Sequence, residues 1–294
     1  MFDLVLYLIL ILVASVFAGI IGSMAGLGGG VLIVPFLTLY FHVPIYLAIG
    51  ASIVSVIATS SGSASAYVKD KISNIRVGTF LVLFTTTGAI VGAFLGLRIK
   101  NPAAIYLIFG IVLLISVLPL IKKIGEVNQP VNIKNDPIAE RLSLQSHYHN
   151  LELDKEVNYN VSGVKSGSVM MFVAGILSGL LGIGSGVFKV IAMDLFMKLP
   201  IKVSTTTSNF MIGMTAAASA GIYFFNGDVN PYIAAPVAIG VLIGALVGSR
   251  LLMKVRGRTV RILFAAVIVV VAIEMLRSGV LLVGGMGLHQ LLHP

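Results

Sequence analysis

Seven stretches of about 20 mostly apolar residues, the length a helix needs to cross a bilayer, run through the chain at 4–24, 46–68, 77–97, 103–121, 204–225, 232–253 and 259–277. Lipid offers no partner to an unpaired backbone group, so such segments are helical. Composition points the same way: 57% of the 294 residues are hydrophobic and 11% are charged. A soluble domain carries about 25% charged residues, and so few charges cannot cover a water-soluble globule. Disorder requires the opposite balance of charge and hydrophobicity. The expected fold class is an all-α polytopic membrane protein with the lipid bilayer as its surroundings. Cysteine is absent, which excludes disulfides and thiolate metal sites. The N-terminus has no basic residue before its apolar run, which predicts a retained membrane helix rather than a cleaved signal peptide.

A single polar stretch, 122–166, with six basic and six acidic residues, divides the chain into a first membrane half, 1–121, and a second, 167–294. The halves are related by a slide of 156 residues. Gly26, Gly28, Gly30 and Val31 then fall on Gly182, Gly184, Gly186 and Val187. Without a gap, Pro44 falls on Pro200, and Ser52, Thr59, Ser63 and Tyr67 fall on Ser208, Thr215, Ser219 and Tyr223. Gly88, Gly92 and Arg98 continue onto Gly244, Gly248 and Lys254. Register held over such a distance indicates duplication, a frequent feature of transporters.

Charge placement distinguishes two topologies. If 4–41 and 167–197 each cross once, the loops on the two sides hold ten and eight basic residues. If each segment instead turns at its glycines and returns to the side it came from, fifteen basic residues gather on one face. These are Lys69, Lys71, Arg76, the six of the central stretch, Lys198, Lys202, Lys254, Arg256, Arg258 and Arg261, against Arg98, Lys100 and Arg277 opposite. The positive-inside rule selects the second arrangement. Apolar pieces of only 16 and 11 residues in the second segment agree with it. The expectation is two inverted repeats, each a glycine-broken segment plus three spanning helices, in a plasma or inner membrane. The central loop is then cytoplasmic and both termini lie outside.

The glycine segments Gly26–Gly30 and Gly182–Gly186 are the sharpest chemical feature. Glycine inside a helix costs about 1 kcal/mol relative to alanine, so matched clusters imply broken helices lining a cavity. Backbone N–H groups at Gly28, Gly29, Gly30, Gly184, Ser185 and Gly186 then suit an anion. Close helix packing is the alternative. The G-x-G-x-x-G dinucleotide spacing fails, because Val31 and Val187 stand at the third glycine position. Ser52 and Thr59, with Thr207, Ser208 and Asn209, offer hydroxyls and an amide to the anion's oxygens, or else helix–helix hydrogen bonds. Lys189, three residues beyond Gly186, places a charge at membrane depth; such charges are functional candidates. Asp194 pairs with it or carries a coupling ion, proton or sodium; snorkelling of Lys189 toward Lys198 is the alternative. The four-residue glycine ladders Gly88, Gly92, Gly96 and Gly240, Gly244, Gly248 read as packing surfaces. No catalytic constellation, cofactor motif, metal cluster around His147 and His149, or nucleic-acid platform is visible. The sequence carries no signal for an oligomeric state.

The repeated A-G-x-x-x-x-x-x-G-x-G-x-G-V segment, Pro44 and Pro200, and the T-S-N run at 207–209 resemble the sulfite exporter TauE/SafE family. The resemblance covers nearly the whole chain outside 122–166. It implies secondary transport of a small anion, such as sulfite, thiosulfate, a sulfonate like sulfoacetate, or an organic acid, by alternating access. The second half departs from the family pattern: Ser185 replaces a glycine and Ile191 a proline. The readings from other classes are an anion-selective channel, with the breaks as its filter, and a membrane enzyme, for which no acid–base or metal group is present.

Overall fold

The computed structural model describes residues 2–25, 28–69, 73–122, 136–150, 155–252 and 257–292. Gly26 of the first glycine cluster and the basic residues Lys71, Lys123, Lys134, Lys254 and Arg256 lie outside the described residues. The first half comprises α1 (Phe2–Ala25), α2 (Gly30–Leu39), α3 (Ile45–Lys69), α4 (Ile75–Arg98) and α5 (Pro102–Lys122). A short α6 (Pro137–Arg141) and an antiparallel hairpin of β1 (Ser146–Asn150) and β2 (Lys155–Tyr159) follow. The second half comprises α7 (Val164–Leu181), α8 (Gly186–Ile191), a π-helical turn (Ala192–Phe196), α9 (Ile201–Phe225), α10 (Pro231–Leu252) and α11 (Gly257–Leu292). Among the described residues six helices, α1, α3, α4, α7, α10 and α11, are long and apolar enough to cross a membrane. The chain is an all-α polytopic membrane protein.

Three elements differ from the sequence expectation. α5, expected to span over 103–121, counts among the described residues as a shorter apolar helix, Pro102–Leu118. α9 is 25 residues long but is not among those six, because the run Ser204–Asn209 lowers its hydropathy. Its polar residues are buried within the bundle: Ser204, Thr207, Ser208 and Thr215 are all fully covered. α7 has 18 residues rather than 16. It starts early because the Val164 N–H donates to the Asp136 carboxylate (3.1 Å), satisfying one of the orphan donors at a helix start. Its length alone therefore permits a crossing, and the course of the chain is set by contacts at its ends.

Those contacts define two ends of the bundle. At one end the Tyr7 hydroxyl, early in α1, donates to the Phe41 carbonyl just beyond α2 (3.1 Å). Nearby, Tyr46 donates to Ile99 at the close of α4 (2.7 Å). At the other end Ser162 N–H, before α7, donates to Met197 O beyond the π turn (3.2 Å). There Asn74, at the start of α4, donates to Leu144 O (2.8 Å). Each glycine-broken pair is thus tied, near the start of its first helix, to the chain just beyond its second. That following stretch is built alike in both: His42 and Lys198, 156 residues apart, take left-handed φ of 53° and 58°. The next residues repeat one hydrogen bond, Val43 N–H to Leu37 O and Leu199 N–H to Met193 O, both 3.0 Å.

Helices of one half pack against helices of the other. α1 lies along α10, and α4 along α7, in parallel. A methyl group at Gly88, Gly92 or Gly96 would press on the Phe172, Ile176 or Leu180 carbonyl. Gly240, Gly244 and Gly248 meet Leu12, Val16 and Ile20 carbonyls in the same way. Backbones approach this closely only where side chains are missing, which is how small-residue ladders replace the hydrophobic effect in lipid. α5 and α11 run antiparallel, Gly110 against Leu276 and Gly279 against Leu107. Outward faces stay apolar, with Leu83, Phe94, Leu246 and Val270 exposed. Gly92→Ala is expected to destabilise by about 1–3 kcal/mol through overpacking. Gly221, with nothing near its missing Cβ, should tolerate alanine or gain up to about 1 kcal/mol. Thermal unfolding of both variants in detergent checks the contrast; equal midpoints would refute the interhelical role.

Candidate functional site

The two breaks meet in the middle of the bundle. Gly28 and Gly184 take left-handed φ of 74° and 68°, where L side chains are disfavoured. Both face the same pair, Val56 of α3 and Ile212 of α9, themselves 156 residues apart. The Ser52 hydroxyl lies 2.7 Å from Gly182 O and 3.3 Å from Gly30 O, tying one break to the other. Ser208 repeats the second contact, 3.3 Å from Gly186 O. Gly29 is right-handed at φ −61°; it is small because a Cβ there would sit 3.0 Å from Val241 and 3.3 Å from the Thr59 hydroxyl. Ser185, its counterpart, is left-handed at φ 46°, a conformation costing a non-glycine roughly 1–2 kcal/mol. Its hydroxyl donates to Ala174 O on α7, which holds it there.

Lys189 is wholly buried, one turn into α8. Its side-chain nitrogen donates to the Thr215 hydroxyl of α9 (2.9 Å), which stands 3.0 Å from the Thr85 hydroxyl of α4. Among the described residues no carboxylate pairs with it. Snorkelling toward Lys198 does not occur: Lys198 is exposed and Lys189 points inward. Asp194 is half-buried on the π turn, five residues on, and has interactions of its own. Asn209, 1% exposed, accepts from Ser60 through its backbone carbonyl, while its side-chain Nδ2 has no hydrogen-bond partner among the described residues. Ser204 Oγ, on the same helix, is likewise buried without one. Buried donors without acceptors cost free energy, so this region has donor capacity to spare.

The sequence candidates separate into groups. Gly28, Gly30, Gly184, Gly186, Ser52 and Ser208 come together at the breaks, and Gly29 and Thr59 adjoin them. Thr59 itself donates to Ser55 O (2.8 Å). Thr207 points elsewhere: its hydroxyl accepts from the Asn74 N–H (3.0 Å) at the end bearing the central segment. Sequence reasoning missed Thr85 and Asn74. The signal for Thr85 is the run Thr85–Thr87 inside an otherwise apolar helix. Asn74 caps α4, its Oδ1 accepting from Val77 N–H (3.0 Å), and its amide also reaches the Tyr159 hydroxyl (2.9 Å). Burial pushes the Tyr159 phenol above its ordinary pKa, with the Asn74 bond opposing.

The family model described as Sulfite exporter TauE/SafE matches residues 11–275. The chain is similar to the Bacillus subtilis protein named "Probable membrane transporter protein YunE", 28% identical over 92% of this chain and 98% of the relative. It is similar to YdhB of the same organism, "Probable membrane transporter protein YdhB", at 28% over 82% and 89%. The Methanocaldococcus jannaschii "Probable membrane transporter protein MJ0441" is 26% identical over 94% and 97%. No solved structure matches the chain.

Asn74 links the polar segment to the bundle, so Asn74→Ala should lose the cap, worth about 1 kcal/mol, together with its two amide contacts. Limited proteolysis is expected to cut within 136–159 faster in this variant than in wild type, with little loss of core thermal stability. An unchanged cleavage rate would show that Asn74 does not hold the segment.

Proposed function

The chain belongs to the sulfite exporter TauE/SafE family, and from that premise we propose that this membrane transporter carries a small anion, a sulfur oxyanion, sulfonate or organic acid, by alternating access. The observation that carries the reading is Lys189, an amine buried in the bundle without a carboxylate partner among the described residues and one turn from the second break. Charged and alone in apolar surroundings it would cost at least about 2.5–3.5 kcal/mol, and an anion bound beside it offsets that. Asn209 Nδ2, buried and unpartnered among the described residues, supplies a further donor. Backbone amides at the two breaks complete the anion's surroundings. Gly28, Gly184, Lys189 and Asn209 are all buried, so the conformation described is closed to both sides, and a carrier must rearrange to open.

The same reading makes the halves inverted repeats with re-entrant glycine segments. The antiparallel course of α5 and α11, equivalents under the slide of 156 residues, supports it, as does the tie from near the start of each glycine-broken pair to the chain just beyond it. Arg76, Arg141, Lys165, Lys198 and Lys202 cluster at the end that carries the central segment, which the positive-inside rule places in the cytoplasm. Because the chain has no cysteine, single-cysteine labelling tests this directly. Tyr40→Cys should react with an impermeant maleimide on intact cells, and Ser143→Cys only after permeabilisation. The reverse pattern would overturn the orientation.

Transport is tested by counterflow in proteoliposomes loaded with thiosulfate or sulfoacetate. A carrier accumulates labelled anion against its gradient by exchange, whereas conduction without exchange would identify a channel. Asn209→Ala is expected to weaken anion affinity about tenfold, near 1.4 kcal/mol, and Lys189→Met to weaken it further, both with folded protein. Unchanged affinity in both would move the site elsewhere.

A further inference from the structure

The two halves are matched residue by residue around the breaks but not at Lys189. Its counterpart 156 residues earlier is Ile33, 1% exposed in α2, and the counterparts of Thr215 and Thr85 are Thr59 and Val241. One half therefore presents an aliphatic contact where the other presents an amine on a hydroxyl pair. From the elements packed against it, the ionisable side chains are Asp194 on the π turn, Lys202 and Tyr223 on α9, Lys165 on α7, Arg76 and Arg98 on α4, and Tyr106 on α5. None of them is a hydrogen-bond or ion-pair partner of Lys189 among the described residues. Tyr223 donates instead to Gly179 O and Leu180 O. The amine has one protein acceptor among the described residues, Thr215, and that hydroxyl donates in turn to Met211 O (2.8 Å) or to Thr85.

We propose that Lys189 is the coupling site: its amine takes up one proton as the anion binds beside Thr215 and releases it as the anion leaves, so that proton and anion cross together. The inference rests on the anion reading above and adds its stoichiometry and its coupling ion. Charge without a counter-ion is unfavourable in apolar surroundings, for ammonium and anion alike, and each is stabilised by the other. The pair therefore binds more readily than either member alone, which is linkage between a proton and a ligand at one site. Atoms balance simply: an N–H bond forms with a proton from water on the side of loading, and the same bond breaks on the side of release. Since Ile33 cannot take part, the fold offers this proton site once per chain. The carrier returns with a neutral amine held by Thr215.

The test is proton uptake on anion binding by the full chain in weakly buffered detergent, read with a pH indicator. Thiosulfate and sulfoacetate are the probes, because neither titrates near neutral pH. Wild type should take up protons with bound anion, reaching about one per anion at a pH where the empty amine is neutral and the anion-bound amine is charged. Lys189→Arg, permanently protonated, should bind anion with no proton uptake. In proteoliposomes it should lose accumulation driven by a pH gradient. Asp194→Asn should leave proton uptake intact. Anion binding to wild type without proton uptake would overturn the coupling site and leave the anion reading standing, as would uptake unchanged in Lys189→Arg. Uptake lost in Asp194→Asn but kept in Lys189→Arg would assign the proton to Asp194 and overturn it equally. Binding of neither probe to wild type would overturn the anion reading and the coupling site with it. If Lys189→Arg does not fold, Lys189→Met, whose side chain cannot take a proton, replaces it: proton uptake retained with bound anion in that variant overturns the coupling site.

Discussion

Backbone interrupted at membrane depth has to find partners inside the protein, and the bundle is organised around that requirement. At the first break Ser52 supplies the answer for both halves at once, reaching Gly30 O and Gly182 O from one hydroxyl. Ser208 serves Gly186, and Ser185 is held in its left-handed turn by Ala174 O. These bonds are possible only because the breaks touch, and the breaks touch only because α3 and α9 cross at Val56 and Ile212. That crossing in turn depends on α1 and α7 being drawn onto the partner half by the glycine ladders of α10 and α4. Interhelical hydrogen bonds in membranes average about 0.6 kcal/mol. Bonds of that size hold one arrangement of the breaks without preventing another.

Much of this was legible in the sequence because membrane helices and duplication leave long-range marks. The hydropathy runs marked helices α1, α3, α4, α5 and α10 near their observed bounds, whereas α11 continues to Leu292, well past the end of its run at 277. The slide of 156 residues pointed to the pairs that the structure repeats in detail, down to the hydrogen bonds of Val43 and Leu199. What escaped was set by contacts that cross between elements. α7 gained its first turn from Asp136, a residue of the polar stretch with no apolar signal of its own. Thr207 looked like a site residue beside Ser208 and Asn209, yet one step around the helix turned its hydroxyl to Asn74. Thr85 became relevant only when α4 packed beside α9, 130 residues away in sequence.

The departure of the second half from the first is where duplication stops explaining the molecule. Pro35 in α2 removes a helical donor by chemistry. At the matching Ile191 the chain instead passes into a π-helical turn, Met197 N–H reaching back to Ala192 O (3.1 Å). Both devices loosen the hydrogen-bond ladder at the same place, but a π turn keeps its donors and is a known companion of functional sites. Three residues before that turn stands Lys189, where the first half has Ile33. A duplicated scaffold by itself would give two equal anion places and no preference for either. An amine in one of them breaks the degeneracy. Under the proposed function, binding is then centred on the second break, while the first, lined by Ile33 and Val241, serves as the matching surface against which the loaded half turns.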